Sequence, residues 1–277
     1  MDFTFVTPAL PLLTTSCMRG TWPGRGLLPS TRRRRDRQRL PGSAYPAALT
    51  MSQAPGAEVT RKKIWIPMGD FRLEGEIHLP EEAPRFPAAV IAHPHPQFGG
   101  DMENNVVVGV FEGLAARGRA ALRFNFRGVG RSGGTLGEGE AEDIEAATEV
   151  LAKAAGRARR DIAIVGYSFG AAIGAACVAR GAETAAWIGV APPIAWADLS
   201  ALARCGRPVY VVCGDGDEYC PTGLAEKLVR QCAAQKGLAI VVGADHFFGG
   251  YEEAVAAQVE LFLVEAARSE TFQAPFV

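Results

Sequence analysis

The sequence predicts an α/β fold in which a mostly parallel sheet carries helices on both faces. From residue 61 onward, short runs rich in β-branched residues alternate with segments of helical pattern. The central runs are apolar without interruption, as strands covered on both faces require. Regular alternation of strand and helix is typical of βαβ units, whose strands run parallel.

The individual elements follow from runs bounded by turn residues. RKKIWI and RLEGEIHL, separated by a turn at MGD, predict an antiparallel pair. Six further strands are predicted over 87–92, 120–126, 161–166, 185–191, 208–214 and 238–244. The predicted helices span 103–117, 139–156, 169–180, 222–235 and 251–267. Neither an internal repeat nor a second domain is evident.

Composition and charge exclude several classes of protein. The 277 residues are 48 % hydrophobic, enough for a sizeable core, which excludes disorder along the whole chain. Eight Arg against two Asp give residues 1–57 a charge of +6, so residues 58–277, with 21 basic and 28 acidic side chains, carry −7. This balance argues against a nucleic-acid partner. The apolar stretches are shorter than the roughly 18–20 residues of a transmembrane helix, so no membrane partner is expected.

The N-terminal 57 residues differ from the rest of the chain. They combine Pro, Gly, Ser and Thr with the run RRRRDRQR, which predicts a solvated or disordered tail. ALPLL precedes this Arg run, the reverse of a secretory signal, and four prolines argue against the helix of an organellar transit peptide. Met51 opens a more ordinary N-terminus and is an alternative start. One folded domain is expected over residues 58–270.

The six cysteines are scattered singly, without a CxxC pair. A domain of this size needs no disulfides for stability, so we expect reduced thiols and a cytoplasmic location.

The sharpest motif is GYSFG at residues 166–170, which lies between a predicted strand and a predicted helix. A tight strand-to-helix turn of this kind exposes a serine hydroxyl, and glycine on either side lets the backbone approach closely. We therefore predict Ser168 as a nucleophile. A second match, GRSGG at 130–134, is followed by the loop TLGEGE rather than a helix. There, Arg127, Arg131 and Ser132 are expected to serve the structure of the loop.

A serine hydroxyl needs a base, and the chain has four histidines. His246 follows the last predicted strand, at the carboxyl end of the sheet, and is the best-placed base. His78 lies in an alternating strand and is expected at the surface.

The base in turn needs a carboxylate that holds its tautomer. The loop after the strand 208–214 contains three carboxylates, of which Asp217 is the preferred partner because it lies far enough from the strand end to reach across. Asp215 is the alternative. Asp245 is disfavoured because it is adjacent to His246. The order Ser, Asp, His along the chain matches that expected for this architecture.

Five motifs together resemble those of the α/β-hydrolases, and more narrowly the lidless bacterial serine hydrolases with an HPHPxxGG motif, related to dienelactone hydrolases. They are HPHPQFGGDMENNVV (93–107), RFNFRGVGRSGG (123–134), GYSFG (166–170), GDGDEYCP (214–221) and GADHFF (243–248). The resemblance covers residues 61–268 and implies a Ser168, Asp217, His246 triad on an eight-stranded sheet. Close relatives of the dienelactone type use Cys as nucleophile, so the serine here argues against dienelactone as substrate.

An oxyanion hole requires two backbone N–H donors, one from the residue after the nucleophile and one from the loop after the third strand. The first is Phe169. In the loop, Pro94 and Pro96 have no N–H, which leaves His95 or Gln97. By analogy with the His-Gly loops of related hydrolases, His95 is preferred.

Two other interpretations of these motifs are weaker. His93 and His95 could form a metal pair, but the acid and histidine of an HxHxDH pattern are replaced by Gln97 and Phe98. The GxGxxG that begins at Gly128 could bind a dinucleotide, but the helix is delayed and acidic residues between 138 and 143 would repel a pyrophosphate. We expect neither metal nor cofactor.

The spacing after the GYSFG turn, which we call the serine elbow, predicts an open site. About 17 residues separate the strands 185–191 and 208–214, too few for a cap domain. Phe98, Tyr219 and Phe247 are expected to line the site, with Phe169 and Trp196, which suits a small-molecule ester with a short acyl group. The predicted activity is ester hydrolysis through an acyl-enzyme. Alternatives are a peptidase or acyltransferase with the same triad, or a non-catalytic binding protein of this fold.

Overall fold

The computed structural model describes residues 61–81 and 85–268. The predicted N-terminal tail and the alternative start at Met51 lie outside the described residues. The strands are β1 (Arg61–Pro67), β2 (Arg72–His78), β3 (Arg85–Ala92), β4 (Arg119–Phe124), β5 (Ile162–Tyr167), β6 (Trp187–Val190), β7 (Val209–Gly214) and β8 (Lys236–Val241).

Five α-helices are described, each within a few residues of its predicted bounds. They are α1 (Asn105–Ala115), α2 (Glu140–Ala154), α3 (Phe169–Ala179), α4 (Thr222–Gln231) and α5 (Glu252–Ala266). Short 3-10 helices occur at Pro96–Phe98, Arg159–Asp161 and Ser200–Arg204. None of these helices is long and apolar enough to cross a bilayer.

The strands form one eight-stranded sheet in the order β1-β2-β4-β3-β5-β6-β7-β8. β1 pairs antiparallel with β2, and β2 pairs antiparallel with β4, whereas every other pairing is parallel. The predicted mostly parallel α/β architecture is therefore confirmed. The carboxyl ends of the parallel strands meet at one edge, where binding and catalytic groups gather in such sheets.

The apolar central strands form the core of the molecule. Every residue of β4, β5, β6 and β7 is buried. Helix α1 packs on α5 and helix α2 packs on α3, so the sheet is covered from both faces. A buried ion pair also fastens α5 to β4: Arg119 donates to Glu260 from Nε at 2.5 Å and from a terminal nitrogen at 3.0 Å.

Two details of the prediction are wrong. β8 has β7 as its neighbour on one side and lies at the edge of the sheet, so Ile240 is 41 % exposed although its run reads as a strand covered on both faces. His78 is expected at the surface but is buried, because β2 lies between β1 and β4 rather than at the edge.

The segment between β6 and β7 contains a loop and the short 3-10 helix Ser200–Arg204. The expected absence of a cap after β6 agrees with this length. All five described cysteines, at positions 177, 205, 213, 220 and 232, are free thiols.

Candidate active site

Ser168 occupies a sharp turn between β5 and α3. Its φ of 52° is in the left-handed region, which is sterically unfavourable for any residue with a side chain and is typical of functional turns. Glycine is required on both sides. A Cβ at Gly166 would lie 2.4 Å from the backbone nitrogen of Ala171, and one at Gly170 would lie 2.4 Å from the carbonyl oxygen of Ala92.

The three residues predicted as nucleophile, base and acid come together at the carboxyl edge of the sheet. His246 Nε2 lies 3.1 Å from Ser168 Oγ, and His246 Nδ1 lies 3.0 Å from each carboxylate oxygen of Asp217. All three residues are at least nine-tenths buried. A hydroxyl, an imidazole and a carboxylate in this order can transfer the serine proton to the ring as the serine attacks.

The backbone of its own loop holds the Asp217 carboxylate in place. Oδ1 accepts the N–H of Tyr219 at 2.8 Å and that of Cys220 at 2.9 Å, in addition to the bond from His246. The other two candidate carboxylates, Asp215 and Asp245, bind backbone N–H groups. Asp215 accepts the N–H of Gly243, and Asp245 accepts the N–H of Phe247. The geometry therefore favours Asp217 over both.

The loop after β3 lies against the elbow, with the ring centroids of His95 and Phe169 4.8 Å apart. Phe169 is the first residue of α3, where a backbone N–H has no acceptor within its own helix. In the loop, the N–H of Gln97 donates to His95 Nδ1 at 3.2 Å, and the N–H of Phe98 donates to the carbonyl of His95 at 3.0 Å. Because the Gln97 N–H is used within the loop, the geometry favours His95 over Gln97 as second donor.

His93 ties this loop to the end of β4. Its Nε2 accepts the N–H of Phe126 at 3.1 Å, so the proton is on Nδ1, which donates to the carbonyl of Pro94 at 2.7 Å. The ring is fully buried, and burial lowers the pKa of His93 from 6.5 to about 4. His93 is therefore a neutral structural residue. Burial also lowers the pKa of His95, although the carboxylate of Glu140 opposes this shift.

Aromatic side chains lie close to the His246 and His95 rings. The ring centroid of Tyr219 lies 4.5 Å from that of His246, Phe247 lies 5.6 Å from His246, and Phe98 lies 5.6 Å from His95. Trp196 lies 6.4 Å from Tyr219. Phe98, Trp196 and Phe247 are each more than half exposed, so the apolar surface at the site is open to solvent.

Ser132, in the second GxSxG sequence, has a different environment. Its hydroxyl donates to the carbonyl of Asn125 at 2.8 Å and accepts the N–H of Glu74 at 2.9 Å. Arg127 in the same loop binds the buried carboxylate of Asp143 through Nε and a terminal nitrogen. Arg127 also donates to the carbonyl of Glu138, so its side chain joins this loop to Asp143 of α2.

A surface groove of about 510 Å³ lies at the β1–β2 turn and is lined in part by Arg131 and Gly133 of the Ser132 loop. The guanidinium carbons of Arg72 and Arg131 lie 4.0 and 5.1 Å from the ring centroid of Trp65. Asp70 also lines the groove, and Glu74 accepts the backbone N–H of Arg131 at 3.0 Å. The groove contains none of the predicted site residues, and we place the candidate site at Ser168.

Sequence patterns missed two residues that contact the site loops. The sequence pattern presents His93 only as a candidate metal ligand. The buried Tyr167, whose hydroxyl donates to the carbonyl of His246, gives no signal beyond its position before Ser168. In the described part of the chain, no three His, Cys, Asp or Glu side chains are grouped so that they could hold a metal ion.

Comparisons with known proteins agree with this architecture. A family profile described as serine aminopeptidase, S33, matches residues 99–207. An uncharacterized protein of Rickettsia prowazekii is 34 % identical over 203 residues, which cover 70 % of this chain and 84 % of that protein. An alpha-beta serine hydrolase homologue from Coxiella burnetii is 32 % identical with a TM-score of 0.64, covering 76 % of this chain and 99 % of that one.

A structure from Xanthomonas campestris, described as an α/β serine hydrolase without lid, is 27 % identical with a TM-score of 0.60 and covers 78 % of this chain and 97 % of that one. The similarity thus extends over nearly the full length of these relatives. Together with the eight-stranded sheet and the serine elbow, it shows that the chain is a hydrolase that belongs to the lidless α/β serine hydrolases.

Proposed function

We propose that the protein cleaves small or short-chain carboxylic esters through an acyl-enzyme formed on Ser168. The observation that carries the proposal is the continuous hydrogen-bonded chain from Ser168 Oγ through the His246 ring to the Asp217 carboxylate. The left-handed backbone at Ser168 supports it, because strain of this kind is retained where a turn must present a side chain.

The geometry suggests the following sequence of steps. Ser168 Oγ attacks the ester carbonyl while its proton passes to His246 Nε2, and Asp217 stabilises the resulting imidazolium. The backbone N–H groups of Phe169 and His95 bind the oxyanion, each contributing about 3 kcal/mol to transition-state stabilisation. His246 then protonates the departing alcohol. A water molecule, deprotonated by the same ring, releases the acid and restores Ser168.

The open surface around Ser168 supports a small substrate. Without a cap, an acyl group is covered by little besides the aromatic side chains of Phe98, Tyr219 and Phe247. A short acyl chain can bury most of its surface against such a rim, whereas a long chain would leave much of its apolar surface in water. We therefore expect the rate to fall as the acyl chain is lengthened.

A fluorophosphonate probe tests the nucleophile directly. The wild-type protein should be labelled at Ser168 in an intact-mass measurement, and Ser168→Ala should not be labelled. Ser132→Ala is the matched control, since it removes the serine of the other GxSxG sequence, and it should be labelled at the wild-type rate. No labelling of the wild-type protein, or equal labelling of Ser168→Ala, would contradict the proposal.

A second candidate activity, hydrolysis of an N-terminal peptide bond, is favoured by the serine aminopeptidase description of the matching family. The same triad can cleave an amide or transfer the acyl group to another acceptor. Hydrolysis of an alanine p-nitrophenyl ester should be compared with that of alanine p-nitroanilide, which shares its acyl group. Comparable kcat/KM values for the two would favour the peptidase. Diversion of the acyl group to an added alcohol would favour a transferase.

A further inference from the structure

Tyr167 connects the nucleophile to the loop that carries the base. It is the last residue of β5 and directly precedes Ser168. Its hydroxyl donates a hydrogen bond of 2.9 Å to the main-chain carbonyl of His246, which lies 79 residues further along the chain. The side chain is 3 % exposed, so water does not compete effectively for this bond.

The loop that carries His246 has little regular structure to fix it. It follows β8, which lies at the edge of the sheet, and its flanking residues Val242 and Phe247 are 72 % and 61 % exposed. The hydrogen bonds of the His246 ring to Asp217 and Ser168 set its rotation, but the ring also moves with its own backbone. The Asp215 carboxylate and the Gly216 N–H hold Gly243 and Ala244, which precede His246 in this loop. At His246 itself, the main-chain carbonyl accepts the hydrogen bond from Tyr167.

Tyr167 also contacts the residue that gives this loop its shape. Phe248 has a φ of 52°, which is unfavourable for a bulky residue and needs support from its surroundings. Its ring is fully buried, with its centroid 6.4 Å from that of Tyr167, while the His246 ring lies 5.8 Å from Tyr167 on the same loop. The Tyr167 side chain thus lies close to both the His246 and the Phe248 rings of this loop.

We infer that Tyr167 is a positioning residue that fixes His246 Nε2 within hydrogen-bond distance of Ser168 Oγ. Because Tyr167 and Ser168 are consecutive, the hydroxyl of one and the nucleophile of the other move as a unit. The hydrogen bond to the His246 carbonyl then fixes the backbone of the base relative to Ser168. This inference rests on the proposed function, in which His246 takes the proton of Ser168.

The hydroxyl is available as a donor throughout the pH range of an assay. Burial raises the pKa of Tyr167 well above its usual range, and the nearby carboxylates of Asp217 and Asp245 raise it further. The tyrosine therefore stays protonated and can donate to the carbonyl whether or not His246 carries a second proton.

Tyr167→Phe tests the inference because it removes the hydroxyl and keeps the ring contacts with His246 and Phe248. We expect kcat for a short-chain ester to fall about tenfold, with KM changed less than about twofold, since His246 Nε2 is then held less precisely against Ser168 Oγ. Thermal unfolding of the variant measures any loss of the fold separately. An unchanged kcat would overturn the inference.

Tyr210→Phe is the matched control. Tyr210 is also a fully buried tyrosine of the sheet, stacked on Phe262 with centroids 4.6 Å apart, but its hydroxyl has no hydrogen-bond partner among the described residues. Its removal should leave kcat within about twofold of the wild-type value. If Tyr210→Phe lowers kcat as much as Tyr167→Phe does, the effect belongs to the core in general and the inference fails.

A double-mutant cycle separates positioning from a merely structural role. In a His246→Ala background, Tyr167→Phe should cost no further rate in p-nitrophenyl acetate hydrolysis, because the group it positions is gone. A further tenfold loss in that background would contradict the inference. Fluorophosphonate labelling of the wild-type protein at Ser168 reports on the proposed function separately, so the two claims can fail independently.

Discussion

Two loops of this protein contain the same Gly-x-Ser-x-Gly pattern, and their serines have different partners. Ser132 is bonded to backbone on both sides, to the N–H of Glu74 and the carbonyl of Asn125. Ser168 is bonded to a histidine ring that is itself held by a carboxylate. A serine whose hydroxyl is committed to backbone groups stabilises a loop, whereas one that faces a base can react.

The backbone conformation of the two serine loops also differs, because different residue types have the positive φ angles. At Ser168 the serine itself has the left-handed φ, while in the other loop Gly130 and Gly134 have it, with values of 56° and 79°. Glycine adopts such angles without strain, so the second loop forms at low cost. The two loops share a residue pattern, and the position of the backbone strain distinguishes Ser168, the proposed nucleophile, from Ser132.

The largest expected effect is that of Ser168→Ala on catalysis. We expect kcat/KM for a short-chain ester to fall by about 10⁴-fold or more, because a triad without its nucleophile retains only the contribution of binding and oxyanion stabilisation. The free energy of unfolding should change by less than about 1 kcal/mol, since no backbone group loses a partner. Steady-state kinetics and urea unfolding measure the two quantities. An equal loss of activity in Ser132→Ala would break the comparison.

The next effect concerns the carboxylate that supports the base. Asp217→Asn should lower kcat by about 10³- to 10⁴-fold, because an amide cannot hold His246 in the tautomer that accepts the serine proton. Asp215→Asn is the control from the same loop, since the Asp215 carboxylate binds the N–H of Gly243, and its activity should stay within about threefold of wild type. Kinetics of the two variants with one ester decide between the carboxylates. A larger loss in Asp215→Asn would contradict the assignment.

The third effect is a pH dependence of stability at His93, which joins the loop after β3 to the residues that lead into the Ser132 loop. Between pH 6.5 and about 4, the unfolded chain binds a proton at this histidine that the folded protein does not bind. The free energy of unfolding should therefore fall as the pH falls through this window, by about 3 kcal/mol in all, with no further loss from this group at lower pH.

Urea unfolding at pH 7 and pH 4.5 tests this linkage. His93→Asn removes the titrating group, so its stability should depend less on pH than that of the wild-type protein, whatever its stability at pH 7. Equal pH dependence in the two proteins would show that His93 is not the buried neutral group we describe.

The smallest effect is expected for Ser132→Ala. Removal of the hydroxyl leaves the Glu74 N–H and the Asn125 carbonyl without this partner, so the free energy of unfolding should decrease by about 1–2 kcal/mol. Activity should stay within about threefold of wild type. Thermal and urea unfolding measure the stability, and ester hydrolysis measures the activity. Unchanged stability would contradict the structural role that we assign to the Ser132 hydroxyl.

The sequence predicted those features that depend on local pattern. Strand and helix alternation predicted the α/β sheet, and the helix directly after Ser168 distinguished it from Ser132. The loops that follow three of the parallel strands contain Ser168, Asp217 and His246 in turn, which predicted that the three residues lie near one another. These inferences succeed because the carboxyl ends of parallel strands lie at one edge of the sheet, so residues far apart in sequence have a predictable meeting place.

Features that depend on the neighbours of a strand could not be predicted in this way. His78 and Ile240 lie in runs whose patterns predict the opposite exposure, since burial is decided by which strand lies beside them. The bond from Tyr167 to the His246 carbonyl is of the same kind, because it depends on how closely a loop folds over the sheet. A residue type and its spacing carry no information about such an approach.

The left-handed angle at Ser168 limits which side chains this turn can present. At a φ of 52°, a second heavy atom on Cβ crowds the backbone, so threonine and valine are excluded on steric grounds whatever their chemistry. Cysteine has the same branching as serine and fits the same turn. Ser168→Cys is therefore compatible with the backbone of this turn, although it replaces oxygen by sulfur. Ser168→Thr keeps a hydroxyl but would require a different backbone conformation at this position.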